Sequence, residues 1–405
     1  MKAYERFLCY VTFDTESVAG SHTFPSTPKQ KLLAQALVDE MKALGIDDAE
    51  MDANGYVYGT IRPSKGSETK PGFALVAHMD TSPDVSGKDV RAKIVNYEGG
   101  DIILNEEKNI ITKAALFPEL DKHVGEKLIV TDGTTLLGAD DKAGIAEIMT
   151  MAELMLSDDS FKHPLIQIIF TPDEEVGAGV DKIDMSKIKV NVGYTVDGGD
   201  VSTFQYETFN ASHAIVTIHG IPVHPGYAKG KMKNACLMAV EFSELLPKYE
   251  IPYTTSGREG FYHLFSMNGN SEKVILEYML RDHDGEILKA REDKLREAVI
   301  YMNKKYGYEA VQLEIKQMYR NMGEKVVEHP EIIKAAIEAI EQNGVNVNIE
   351  AVRGGTDGSR LSFMGLVCPN LPTGGNNGHS RHEFVSIEDL DRCTSILIKL
   401  AEILA

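Results

Sequence analysis

Carboxylates and imidazoles recur where apolar runs end. His78-Met79-Asp80 follows Phe73–Ala77, Asp173-Glu174-Glu175 follows Leu165–Phe170 across Thr171-Pro172, and Asp197-Gly198-Gly199 follows Gly193–Val196. Asp140-Asp141 stands between the glycine-containing approach Leu136–Ala139 and a helical pattern, and His379 closes the loop Thr373-Gly374-Gly375-Asn376-Asn377-Gly378-His379. His78, Asp140, Glu175, Asp197 and His379 are oxygen and nitrogen donors on separate loops, a set that suits a borderline cation such as zinc. Three successive acids at a strand end repel one another unless a positive charge sits among them. Each stretch also has a plainer reading. Asp141 is a good N-cap, and Asp173–Glu175 would serve as an acidic surface turn.

Two ions fit the donor count better than one if Asp140 bridges them. One would take His78, Asp140 and Asp197, the other Asp140, Glu175 and His379, each with three protein ligands and an open position. Four cationic charges against three carboxylates leave one, which a bridging hydroxide neutralises, and that is how a metal pair supplies a nucleophile near neutral pH. In an extended segment residues i and i+2 point the same way, so Asp80 can hold the ring nitrogen of His78 that a metal does not use. Glu174 or Asp173 is then the general base.

The elements that must position these groups follow from the apolar patterning. Phe73–Ala77, Leu165–Phe170 and Gly193–Val196 read as strands buried on both faces of a parallel or mixed sheet, whose carboxyl ends are where ligands collect. Ile145, Ile148, Met149, Ala152 and Leu156 recur at helical spacing and predict an amphipathic helix after Asp141. Residues 3–11 predict a short helix. Thr27-Pro28-Lys29-Gln30 predicts the start of another, with Thr27 as N-cap, a capping box at Gln30, Leu33, Leu37, Met41 and Leu44 as the buried stripe and Gly45 as the stop. Asp89 to Gly125 reads as a less regular insertion. From about Thr208 the pattern changes to strand, helix, strand, strand, helix, strand (214–218, 235–246, 262–267, 273–279, 285–306, 311–317), the order of a ferredoxin-like split βαβ domain. The fold class is therefore α/β: a mixed-sheet catalytic domain of residues 1–207 and 321–405, and an inserted α+β domain of residues 208–320.

A chain of 405 residues with 43% hydrophobic side chains is long enough for two domains. Its net charge of −19 argues against nucleic acid and anionic membranes as partners and favours cations. Cys9, Cys236, Cys368 and Cys393 lie far apart and imply neither a disulfide framework nor a thiolate metal site. With no signal-peptide pattern and no span of membrane length, the expected location is the cytoplasm.

The segments HMDTSPD, TDGTTLLGADDKAG, TPDEEVGAG, DGGD, HPGYAKGKMKNA, RGGTDGS and the stretch from His379 to Glu383 resemble the peptidase T family of tripeptide aminopeptidases, in the di-zinc aminoacylase and dipeptidase superfamily. The resemblance runs from SHTFPSTPKQ to HEFVSIEDL. It implies two Zn2+ per subunit, with His78, Asp140, Glu175, Asp197 and His379 as ligands, Glu174 rather than Asp173 as general base, Asp80 as support for His78, and a cis bond between Asp140 and Asp141. From the inserted domain, a lid or dimerisation element that implies a homodimer, it makes His224 the group polarising the scissile carbonyl and Asn234 and Arg281 binders of the substrate carboxylate. Arg353 is a further anion contact. The plain alternatives are a turn histidine, a helix-start asparagine and two ion-paired arginines. The implied activity is removal of the N-terminal residue from tripeptides; a dipeptidase, acylamino-acid deacylase or carboxypeptidase on the same centre, or a non-catalytic metal-binding protein, are the rivals. One departure is Ser380, where family members often carry glycine, and His382 is an alternative ligand.

Overall fold

The computed structural model describes residues 1–405. The chain divides into two compact units, one of Met1–Tyr206, Glu324–Glu350 and Thr356–Ala405, the other of Glu207–Gly323 and Ala351–Gly355. The short return Ala351–Gly355, with Arg353 in it, therefore goes with the second unit.

The first unit is built on an eight-stranded mixed sheet, in the order Glu50–Met51, Val57–Ile61, Ile166–Thr171, Phe73–His78, Gly193–Val196, Asn370–Leu371, Thr203–Glu207, Asn348–Ala351. Phe73–His78 runs parallel to both of its neighbours and is buried at every position. A strand covered on both faces can afford no polar alternation, which is why its sequence is continuously apolar until it reaches His78.

The helix Ala139–Ser157 packs against Phe73–His78, Gly193–Val196 and the helices Ala3–Tyr10 and Ile387–Ile403. It is buried without a break from Asp141 to Ala152, so the expected amphipathic helix is a core helix; of the predicted stripe only Leu156 is exposed. Enclosure on all sides removes the polar face that amphipathicity requires. Gly144 is needed where the helix crosses the sheet, since a Cβ there would lie 2.0 Å from the carbonyl oxygen of Val196.

Two local expectations are corrected. The helix predicted from Thr27 starts at Gln30 and runs to Ala43, and Thr27 does not cap it: the Thr27 hydroxyl donates to the carbonyl of Glu16, while Gln30 reaches Asp173. Long-range partners have displaced the local capping box. The segment 89–125 contains the strands Lys93–Asn96, Ile102–Asn105 and Ile110–Thr112. Lys93–Asn96 joins Lys127–Val130, Phe384–Ser386 and Gly375–Asn376 in a second sheet, over a core that includes Tyr97, Leu104, Leu120 and Phe384. Strands of three or four residues, half exposed, leave too few positions for a period to show.

The second unit has the strands Asn210–His219, Phe261–Gly269, Lys273–Asp282 and Val311–Tyr319 and the helices Ala235–Glu244 and Gly285–Tyr306. Its antiparallel sheet has Phe261–Gly269 and Val311–Tyr319 at the edges and Lys273–Asp282 beside Asn210–His219 in the middle. In chain order this is 4-1-3-2, the ferredoxin-like arrangement. Inward residues such as Val216, Leu276, Tyr278 and Leu280 meet Phe242, Leu295 and Met302 from the helices in one apolar core. No helix of the protein is long and apolar enough to cross a membrane.

Candidate metal centre

His78 ends the central strand with only 2% of its side chain exposed. Its backbone N–H donates to Asp141 Oδ2 at 3.1 Å, so Asp141 terminates the His78 strand and is not the N-cap of its own helix. The Asp140–Asp141 peptide is cis and both residues lie outside helical φ/ψ. The His78 ring has Nε2 2.9 Å from Asp140 Oδ1 and 3.6 Å from Asp197 Oδ1. Its Nδ1 lies 3.1 Å from the carbonyl oxygen of Asp80 and 3.4 Å from Asp80 Oδ1. The Asp80 carboxylate has a second task, accepting from the N–H groups of Glu174 and Glu175 at 3.0 and 3.2 Å.

His379 faces the other oxygen of the same aspartate. Its Nε2 is 2.8 Å from Glu175 Oε2 and 3.5 Å from Asp140 Oδ2, while Nδ1 is 3.2 Å from Asp84 Oδ2. Asp140 thus turns Oδ1 to His78 and Oδ2 to His379, the placement a carboxylate needs to bridge two cations. Gly378 lets the chain pass it closely, because a Cβ there would stand 3.2 Å from Asp140 Oδ2. Backbone in the left-handed region is carried by Asn377 and His379 and not by Ser380. A side chain at Ser380 therefore meets no φ restriction, and its hydroxyl accepts from the N–H of His382.

The electrostatics of these side chains call for positive charge. Burial disfavours a charged His78, yet hydrogen bonds to Asp140 and Asp197 outweigh it and hold the ring well above its ordinary pKa. His379 is pushed up to about 11 by Asp140 and Glu175. Burial works to raise Asp140, but hydrogen bonds from His379 and His78 carry it below the usual carboxylate range. Burial pushes Glu175 up to about 7, Asp197 up to about 6 and Glu174 well above the ordinary value. Imidazoles and carboxylates set this closely take up a metal in their deprotonated forms, so metal binding there would release protons. The ligand atoms of His78, Asp140 and Glu175 lie within 4.8 Å of one another, as do those of His78, Asp141 and Asp197. The donor set fits divalent cations.

Other residues fall away from this cluster. Asp173 accepts from Ser26 N–H, the Ser26 hydroxyl and Gln30 Nε2, tying the N-terminal segment to the acid turn, so both of its oxygens are engaged. His382 turns to Thr112 Oγ1 and the ring of Phe117. Asp357, which the sequence offered only as part of a glycine-rich loop, is buried and accepts from the Thr171 hydroxyl at 2.6 Å. Nor does the sequence single out Asp84 or Glu383, whose only signal is their place in HMDTSPD and in the His379–Glu383 stretch.

The four candidates of the second unit have local partners within it. His224 Nδ1 accepts from Gly226 N–H, and its exposed ring lies against Tyr227. Asn234 is the N-cap of Ala235–Glu244, accepting from Cys236 N–H at 2.9 Å. Arg281 donates to the carbonyl of Leu280 and lies over Tyr319. Arg353 donates to the carbonyls of Gly257 and Glu259 and to Thr255, and rests on Phe209 and Phe261.

The model of "Peptidase family M20/M25/M40" matches residues 131–403. A peptidase T from Caldanaerobacter subterraneus subsp. tengcongensis is 46% identical over 403 residues, 99% of this chain and 98% of that one. Two crystal structures share the fold at 21% identity: an aminopeptidase PepT from Bacillus cereus (TM-score 0.77) and a tripeptidase from Staphylococcus aureus (TM-score 0.79), each covering 100% of this chain and 98% of its own. With an aspartate set between two histidines and full-length likeness of this degree, the chain belongs to peptidase family M20/M25/M40, on its peptidase T branch, and is a metallopeptidase.

Proposed function

We propose that this chain hydrolyses the first peptide bond of unblocked tripeptides, with two zinc ions as its native cofactors. The observation that carries the reading is the division of the Asp140 oxygens between His78 and His379. His78, Asp140 and Asp197 would hold one ion, and Asp140, Glu175 and His379 the other. When bound, such ions polarise the scissile carbonyl and lower the pKa of water at the site. Asp80 fixes the turn through the backbone of Glu174 and so leaves the Glu174 carboxylate for proton transfer. Burial raises the pKa of that carboxylate, which brings it closer to the working pH of a general base. Glu174 takes a proton from the attacking water and returns it to the departing amine. His224 donates to the developing oxyanion. Asn234 and Arg281 hold the substrate's C-terminal carboxylate, and Arg353, whose donors already serve three partners in its own unit, contributes least.

The setting is the cytoplasm, consistent with four free cysteines, two of them exposed. The second unit is the dimerisation surface. Its support is the exposed Leu237, Val240, Ile300 and Tyr301 on the two helices of that unit. The test is to incubate zinc-loaded protein with a free tripeptide, its N-acetylated form and the matching dipeptide, and to identify products by mass. Release of only the first residue from the free tripeptide is expected; cleavage of the blocked or two-residue peptide instead would overturn the substrate assignment.

A further inference from the structure

Glu383 is 2% exposed and directs its whole carboxylate at one loop. Oε2 accepts from the N–H groups of Leu137 and Gly138, both at 2.7 Å, and Oε1 accepts from the N–H of Asp140 itself at 3.0 Å. These three amides lie where the chain is neither strand nor regular helix, so no secondary structure offers them partners. Glu383 is held in turn from its own side. Its N–H donates to the carbonyl of Ser380, and the next residue, Phe384, pairs with Val130 in the second sheet. Four residues earlier in the same turn stands His379.

We propose that Glu383 is a positioning residue of the metal centre: its carboxylate fixes the loop that presents Asp140 to both cation positions and locks it to the loop that carries His379. The inference rests on the two-cation reading given above. A carboxylate is needed because three donors converge on it, and acceptance by a charged group is stronger than by a neutral one. Glutamine keeps one acceptor oxygen and turns an NH2 group towards backbone N–H groups. Aspartate keeps both oxygens but falls one methylene short. Neither change touches a metal ligand, yet each loosens the backbone from which Asp140 projects.

The test is Co2+ titration of chelator-stripped wild type, E383Q and E383D, followed by visible absorption, alongside the thermal melting of each stripped protein. E147Q, which replaces another fully buried carboxyl group, on the helix Ala139–Ser157, is the reference for loss of a buried carboxyl group. Wild type and E147Q are expected to take up two ions with the same affinities. E383Q is expected to weaken at least one of the two binding steps tenfold or more, beyond any change that its stripped melting temperature shares with E147Q, and E383D is expected to lie between. Wild-type affinities, within twofold, in both Glu383 variants would overturn the inference while leaving the two-cation reading intact. Fewer than two ions bound by wild type would overturn that reading itself. Should E383Q fail to fold, E383D decides by the same criterion.

Discussion

The two units treat charge in opposite ways. In the first, strands buried on both faces run into His78, Thr171 and Val196, and His78, Asp140, Asp197, Glu175 and His379 pair with one another at and beyond those tips. In the second, Lys273–Asp282 alternates buried and partly exposed positions, its apolar side chains meeting the two helices. Arg353 and Asn234, two of its four candidate substrate contacts, are held by backbone atoms of the same unit. Buried charge that its neighbours do not neutralise is expensive to keep. Its concentration in the first unit is what makes that cluster the candidate metal centre, whereas a substrate role for the second unit's residues has to be added to a structural one.

The sharpest way to break this contrast is at Glu174. Glu174→Gln should leave metal content unchanged and lower kcat by about 10²–10⁴-fold, the range for loss of a general base; turnover near wild type would remove Glu174 from the mechanism. A smaller effect is expected at Asp84, whose oxygen faces His379 Nδ1. Loss of a carboxylate behind a metal-bound histidine costs roughly 10–100-fold in metal affinity. Since Asp84 is largely exposed, D84N belongs near the lower end, measured by competition with a metal indicator.

The pH dependence of the metal-stripped protein tests the electrostatic half of the contrast. The pKa of His379 at about 11 lies above the unfolded value of about 6.5. Its contribution to stability is therefore complete below pH 6.5 and is lost as the pH rises through 11. Glu383, raised by burial to about 7, acts with the same sign between about 4.5 and 7. The melting temperature of stripped protein should fall between pH 6.5 and 10, and the gap to the metal-loaded form should widen; a gap that does not change with pH would contradict the assignment of His379 as the group displaced.

In the second unit the smallest effects separate two jobs of one residue. Asn234→Ala removes a helix cap, costing about 1 kcal/mol. Asn234→Asp keeps the capping oxygen and loses the amide donor. If Asn234 grips the substrate, N234D raises KM at an unchanged melting temperature; an unchanged KM would make it a cap alone.

What could be read in advance was what depends on local pattern. Continuous apolar runs gave away the strands, and their abrupt ends gave away His78, Glu175 and Asp197. The role of Asp141 could not be read, because its partner is the backbone of residue 78, sixty-three positions earlier. Asp173 was open for the same reason: only the fold brings Ser26 and Gln30 to it. The second sheet was hidden in strands too short for a period to register, and with it the reason Glu383 points at residues 137–140.

Chain order around the inserted unit has a consequence for synthesis. The donors assigned to one cation, His78, Asp140 and Asp197, all precede residues 207–323, whereas the other cation requires His379, which follows them. A ribosome delivers the first set, then the entire insert, before the last ligand emerges. The nascent chain thus holds Glu175 and one oxygen of Asp140 without their imidazole until the insert has been made. On the proposed assignment, the ligands of the two cations are synthesised at different moments, one set wholly before the insert and the other closed only after it.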